Sequence, residues 1–256
     1  MVHSLFHTMK KAIFFLSLAL LGCDDSKEET SAPAVNTYSL VFIDKTQSVN
    51  PNDPFVKAKY SAALQMLVED NIKNAGDQID LYYIHENTSK AKVLSIISRT
   101  EKEDQTNMSP TDKEASDNAY HLSIKKERQI ITQALMQKFL ETNTSSSNAE
   151  THVTGSVPVI SEALKSKPSV QVYYFSDMVE SKKGGRDFHI KPPASANEAV
   201  VWAREDMGDY EPIGGAKIHI ILPFSPNSSS KINNPNVSAY WKRFFDELGA
   251  NPIKEE

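Results

Sequence analysis

The chain has 256 residues, a formal net charge of −5, and 39% hydrophobic and 24% charged residues. That length can bury a sizeable core in one domain, and the composition is ordinary for a soluble globular protein. Acidic and basic residues are interspersed, and no basic tract or aromatic-basic stripe suggests a nucleic-acid partner.

The N-terminus reads as a targeting segment. Met9-Lys10-Lys11 begins a charged region, and Ala12 to Leu21 is apolar over a signal-peptide length, too short for an ordinary membrane span. Met9 gives a more usual signal length than Met1. The stretch ends in Leu20-Leu21-Gly22-Cys23, with the single cysteine of the chain. This resembles the bacterial lipobox, which implies cleavage before Cys23 and lipidation of Cys23. Residues 1–22 are then a signal peptide and 23–37 a lipidated cysteine with a flexible tether, since 24–37 is polar and holds Pro33. Losing Lys10 and Lys11 leaves 26 basic against 33 acidic residues, a mature charge of −7. With Cys23 lipidated no intramolecular disulfide forms, so the core alone stabilises the exported domain. Asp24 resembles an inner-membrane retention signal, whereas Lys27-Glu28-Glu29 resembles a surface-export signal. The leaflet is left open, and the expected location is the bacterial cell envelope.

Tyr38–Ile43 is an apolar run suited to a strand buried on both faces. It stops at Asp44, and Thr46 and Ser48 follow at every second position. In extended backbone, residues two apart point the same way, so a carboxylate and two hydroxyls converge. Pro51 and Pro54 end the strand, and Phe55–Ile72 repeats apolar residues at helical spacing. Gln78–His85 and Lys92–Ser98 read as two strands in an antiparallel edge hairpin. Arg99–Asn118 is polar and aperiodic, an expected exposed insertion; His121–Glu141 predicts a helix. Asn143–Glu150 is a hydroxyl-rich loop. Val157–Lys165 predicts a helix with Pro158 in its first turn and Thr154 or Ser156 as cap. Ser169–Phe175 is a strong strand ending at Ser176-Asp177. Met178–Lys191 reads as a loop, Ser195–Arg204 as a helix, Ala216–Leu222 as a strand, and Ser238–Leu248 as an amphipathic helix ended by Gly249. Residues 38–250 are the expected domain and 251–256 a C-terminal tail. Strand-helix alternation predicts an α/β fold: a doubly wound, mostly parallel sheet flanked by helices, with one antiparallel edge strand.

Asp44-x-Thr46-x-Ser48 after the first strand, a Thr before a later helix and an Asp after the fourth strand together resemble the von Willebrand factor A domain. Its metal-ion-dependent adhesion site uses Asp-x-Ser-x-Ser, a distant Thr and a distant Asp. The matching positions are Asp44, Thr46, Ser48, Thr154 and Asp177, with Ser156 and Thr151 as alternatives in the same loop. The resemblance covers roughly residues 37–250, and the aromatic terminal helix ending in Leu248-Gly249-Ala250 looks like bacterial members. It implies a strand order with strands one and four side by side. It also implies bound Mg²⁺, or Mn²⁺ or Ca²⁺, whose shell a partner's carboxylate completes. An oxygen-only set of this kind suits a hard divalent cation. Thr46 replaces the usual Ser, and Met178 stands where a glycine commonly follows the Asp.

The resemblance implies a monomeric, envelope-anchored binding protein that holds a protein ligand through an acidic side chain and the membrane through its lipid. No nucleophile and base pair is evident, so no enzymatic activity is expected. A second reading is a structural or assembly lipoprotein with this fold and no functional metal. A third follows from Asp44-Lys45-Thr46, which resembles the phosphorylated Asp-Lys-Thr of haloacid dehalogenase-like phosphatases, with Asp44 as nucleophile. Gln47 and Ser48 depart from that pattern. The histidines show no ligand spacing. The loops around 143–156 and 178–195 border the expected metal and are places for partner specificity.

Overall fold

Tyr38–Asp44 forms β1, and all seven of its residues are buried. The strand is central in a six-stranded sheet of order β3-β2-β1-β4-β5-β6. Here β2 is Gln78–Ile84, β3 Lys92–Ile97, β4 Val170–Phe175, β5 Lys217–Ile221 and β6 Ile253–Glu255. β1 pairs in parallel with β2 and β4, β5 lies parallel to β4, and β6 lies parallel to β5. β3 alone runs antiparallel, against β2. The computed structural model describes residues 35–144, 149–225 and 228–256. The signal peptide, Cys23 and residues 24–34 of the tether lie outside the described residues, as does part of the hydroxyl-rich loop.

Side-chain alternation along the strands splits the core between two faces. Leu40 and Phe42 of β1, with Val172 and Tyr174 of β4, meet one set of helices. These are α3 (Val157–Ser166), α4 (Ala196–Met207) and α5 (Pro235–Glu247). Val41, Ile43, Tyr173 and Phe175 face α1 (Pro54–Asn71) and α2 (Pro110–Leu140). The doubly wound α/β class therefore holds. Phe42 lies between the rings of Tyr82 and Tyr174, at centroid distances of 5.4 and 5.2 Å. Each such pair adds about 0.5–1.5 kcal/mol beyond its area burial.

Two expectations need correction. α2 begins at Pro110, so the polar stretch is a loop only as far as Ser109, whose side chain caps Asp112 N. The first three turns of the helix are mostly solvent-exposed, with Ser116 their buried residue, so no apolar stripe marks them. Residues 251–256 are not a plain tail: Ile253–Glu255 pairs with β5 as the edge strand β6. α5 also starts earlier than its aromatic stripe, at Pro235 after the Asn234 cap. Gly249, at φ 87°, ends it in the left-handed conformation that glycine adopts without a Cβ clash. Among the described residues no helix is long and apolar enough to cross a membrane.

Candidate metal centre

Parallel neighbours end at the same edge, so β1 and β4 deliver Asp44 and Ser176-Asp177 side by side; Ile43 is in register with Phe175. Asp44 is 2% exposed. Its Oδ1 accepts from Thr46 N at 2.9 Å and Thr46 Oγ1 at 2.6 Å, and its Oδ2 accepts from Ser176 Oγ at 2.7 Å. Thr46 Oγ1 lies 3.2 Å from Ser48 Oγ. The Ser48 hydroxyl lies near enough to Asp177 to favour its charged form, and the Asp177 carboxylate accepts from Val179 N at 3.0 Å. Hydrogen bonds thus join Asp44, Thr46, Ser48 and Ser176 in one network with the Asp177 carboxylate beside it, and Ser48 is its exposed member.

Electrostatics leave this network short of positive charge. Burial and the nearby Asp177 both push the Asp44 carboxyl up, against the hydrogen bonds of Thr46 and Ser176. Burial likewise pushes Asp177 up. Neither carboxylate has an ion-pair partner among the described residues. The adjacent cation, Lys45, points its Nζ at the Phe139 and Glu141 carbonyls at the end of α2, where a positive charge suits the helix dipole. The Tyr60 hydroxyl is fully buried, has no hydrogen-bond partner among the described residues, and feels the charge of both Asp44 and Asp177. Two crowded carboxylates, two hydroxyls and an orphaned buried phenol fit a hard divalent cation with retained waters. Among the described residues no three His, Cys, Asp or Glu gather at one point. The cluster offers two carboxylates, Asp44 and Asp177, with the Thr46 and Ser48 hydroxyls beside them.

Thr154 lies in a 3₁₀ turn, Thr154–Ser156, leading into α3. Its Oγ1 donates to Glu180 Oε1 at 2.7 Å, while Glu180 Oε2 accepts from Val153 N at 2.7 Å and Thr154 N at 3.2 Å. The expected caps do not act as caps: Ser156 makes no side-chain cap bond, and Glu180 takes the free amides at the start of this segment. Ser156 Oγ instead bonds Val153 O and pairs with the Tyr174 hydroxyl. Thr151 bridges to Ser181 through backbone. Of the three loop alternatives, Thr154 is the one whose hydroxyl donates a hydrogen bond to a buried carboxylate. No hydrogen bond joins Thr154 to the Asp44 network.

Sequence reasoning missed two residues, Ser176 and Glu180. Ser176 anchors Asp44; its place beside Asp177 at a strand end was the available signal. Glu180 is 2% exposed and burial pushes it up to about 7. Met178 has φ 61°, so the position without the common glycine is indeed left-handed. Its N donates to Ser176 Oγ at 2.9 Å, and its carbonyl accepts from Trp241 Nε1 at 2.6 Å. The strained residue is held from both sides, with Asp177 next to it.

No family model matches the chain, and no curated protein matches it in sequence. Among solved structures, proximal thread matrix protein 1 from the mussel byssus is 14% identical, with a TM-score of 0.31 over 73% of this chain and 36% of that one. A von Willebrand factor type A protein from Catenulispora acidiphila is 11% identical, with a TM-score of 0.31 over 84% of this chain and 41% of that one. The chain thus spans well under half the length of either.

Proposed function

We propose that this chain is an envelope-anchored binding protein of the von Willebrand factor A type, holding a partner protein's carboxylate through a divalent cation. Mg²⁺ is the expected ion, with Mn²⁺ or Ca²⁺ as substitutes. The observation that carries the reading is the junction of Asp44 and Ser176-Asp177 at the carboxyl ends of adjacent strands, with Thr46 and Ser48 bonded into it. When bound, the cation supplies positive charge and an open coordination position. Asp44, Thr46, Ser48 and Asp177 are its protein oxygens, and Thr154 joins them from the α3 loop. Ser176 and the Thr46 amide orient Asp44. Glu180 orients Thr154 by accepting the hydrogen bond of its hydroxyl. Exposed Ser48 marks the side from which a partner reaches the site. Cys23 and the tether hold the domain at a membrane, and the reading assigns no catalytic step.

Isothermal titration with Mg²⁺ and Mn²⁺ tests it. The wild type should bind one equivalent; Asp44→Ala should bind none, and Ser48→Ala about tenfold more weakly, a loss of about 1.4 kcal/mol. Equal binding by Asp44→Ala, or none by the wild type, overturns the metal reading.

A further inference from the structure

The two edges of the sheet differ. β3 is one outer strand, paired with β2 alone. Ser98 N donates to Asp77 O at 2.8 Å, and Ile97 stands opposite Gln78. Bonded residues alternate along an antiparallel ladder, so the N–H and C=O of Ser95 and Ile97 point away from the sheet. Edge strands are ordinarily blocked by lysine, proline or a bulge. Here Lys92 and the register shift opposite Leu81 and Tyr82 sit at the start of β3, and Leu94-Ser95-Ile96-Ile97 carries no such block. The other edge, β6, is three residues long and holds Lys254 and Glu255. Beside the open edge runs α2, and the two bound a groove of about 600 Å³. Ile97 on the strand is 53% exposed and Ile130 on the helix 57% exposed, so the groove presents apolar surface to solvent. Its free charges have one sign. Glu127 is committed to the end of the strand: it accepts from Ser98 Oγ at 3.1 Å and from the amides of Arg99 and Thr100 at 2.8 and 3.2 Å. Arg99 and Lys126 have no ion-pair partner among the described residues.

We propose that this groove is a docking site for an extended, acidic segment of a partner protein, which adds to β3 as a further strand of the sheet. The edge supplies backbone donors and acceptors at strand spacing, which hold the segment against the sheet. Alternate side chains of the added strand point toward α2, where Ile96 and Ile130 cover them. Arg99 and Lys126 select acidic residues in the same segment. A second copy of this chain is the poorer occupant, because an isologous pairing sets the cationic rim against itself. β2 separates this edge from β1, so the proposal stands apart from the Asp44 cluster and holds with or without a cation there.

The test titrates ¹⁵N-labelled full-length protein with a short peptide of alternating glutamate and valine, and with its lysine–valine counterpart. The glutamate peptide should bind about tenfold more tightly, and it should slow hydrogen exchange of the Ser95 and Ile97 amides about tenfold. A copy of it N-methylated throughout keeps the side chains and loses every backbone donor; it should bind about tenfold more weakly. Lys126→Glu should reverse the preference between the two charged peptides. Ile130→Glu should weaken the glutamate peptide about tenfold. Both substitutions fall on exposed positions of α2, so each variant keeps the fold and reads binding alone. Equal affinities for the two peptides, undiminished binding of the N-methylated copy, unchanged exchange at Ser95 and Ile97, or no binding by either peptide overturns the docking site. A concentration-dependent dimer in sedimentation that protects the same two amides without peptide assigns the edge to a second copy, and it overturns the proposal too.

Discussion

Met178 shows most clearly how single residues bear on the site. A non-glycine side chain in the left-handed region costs roughly 1–2 kcal/mol. Here the residue also buries its side chain in the core, at 2% exposure. The two effects separate by comparing truncations. Met178→Gly and Met178→Ala both lose the side chain, but only glycine relieves the backbone. Met178→Gly should therefore be about 1 kcal/mol more stable than Met178→Ala in urea denaturation, the reverse of the usual order. Alanine being the more stable of the two contradicts the strain. Asp44 and Asp177 were legible from the sequence because each stands at the end of an apolar strand, Asp44 as the last residue of β1 and Asp177 two residues past β4. Glu180 was not: its partners lie 26 and 27 positions back in another loop, and contacts between loops leave no periodicity to read.

At the scale of elements, burial decided what could be foreseen. β1, β4 and β5 announce themselves through apolar runs, whereas β6 offers only Ile253 and is three residues long. α2 is 31 residues, yet its buried positions beyond Ser116 are Ile124, Ile131, Leu135 and Phe139. Its first three turns stand on helix propensity, the Ser109 cap and polar links from Ser116 to Glu103, Asp117 to Lys102 and Gln105, and Tyr120 to Lys73 O. Hydrogen exchange should show amides of residues 112–120 exchanging well before those of 128–139, and Ser109→Ala should widen the gap at a cost of about 1 kcal/mol. Uniform protection along α2 contradicts this. The β2–β3 edge has its own anchor in Asp80, which accepts from Tyr38, Gln78, Lys92 and Ser95. Burial pushes its carboxyl up, but these bonds outweigh burial and hold it below the ordinary value. A depressed carboxyl contributes stability above its unfolded value of about 3.9, and that contribution is lost as pH falls through the folded value. Asp80→Asn should thus cost about 1–3 kcal/mol at pH 7. The deficit should shrink below about pH 4 in denaturant titrations. A deficit independent of pH contradicts the assignment.

For the whole molecule, the sheet order turns separate sequence signals into one site. Thr46 and Ser48 follow Asp44 closely, but Asp177 lies 133 positions later and meets them because β1 and β4 are neighbours in the sheet. Both core faces then fix that edge: α1 and α2 from one side, α3, α4 and α5 from the other. Lys45 closes α2 at the same edge, and Trp241 of α5 holds Met178. What the helices leave free there is the rim of oxygens around Asp44. The most direct measurement is anomalous difference density from crystals of the protein grown with Mn²⁺. A peak within coordination distance of Asp44, Ser48 or Thr46, on the side facing Asp177, is the expected result. No peak there at full Mn²⁺ occupancy in solution, or a peak held by other residues, contradicts the metal centre.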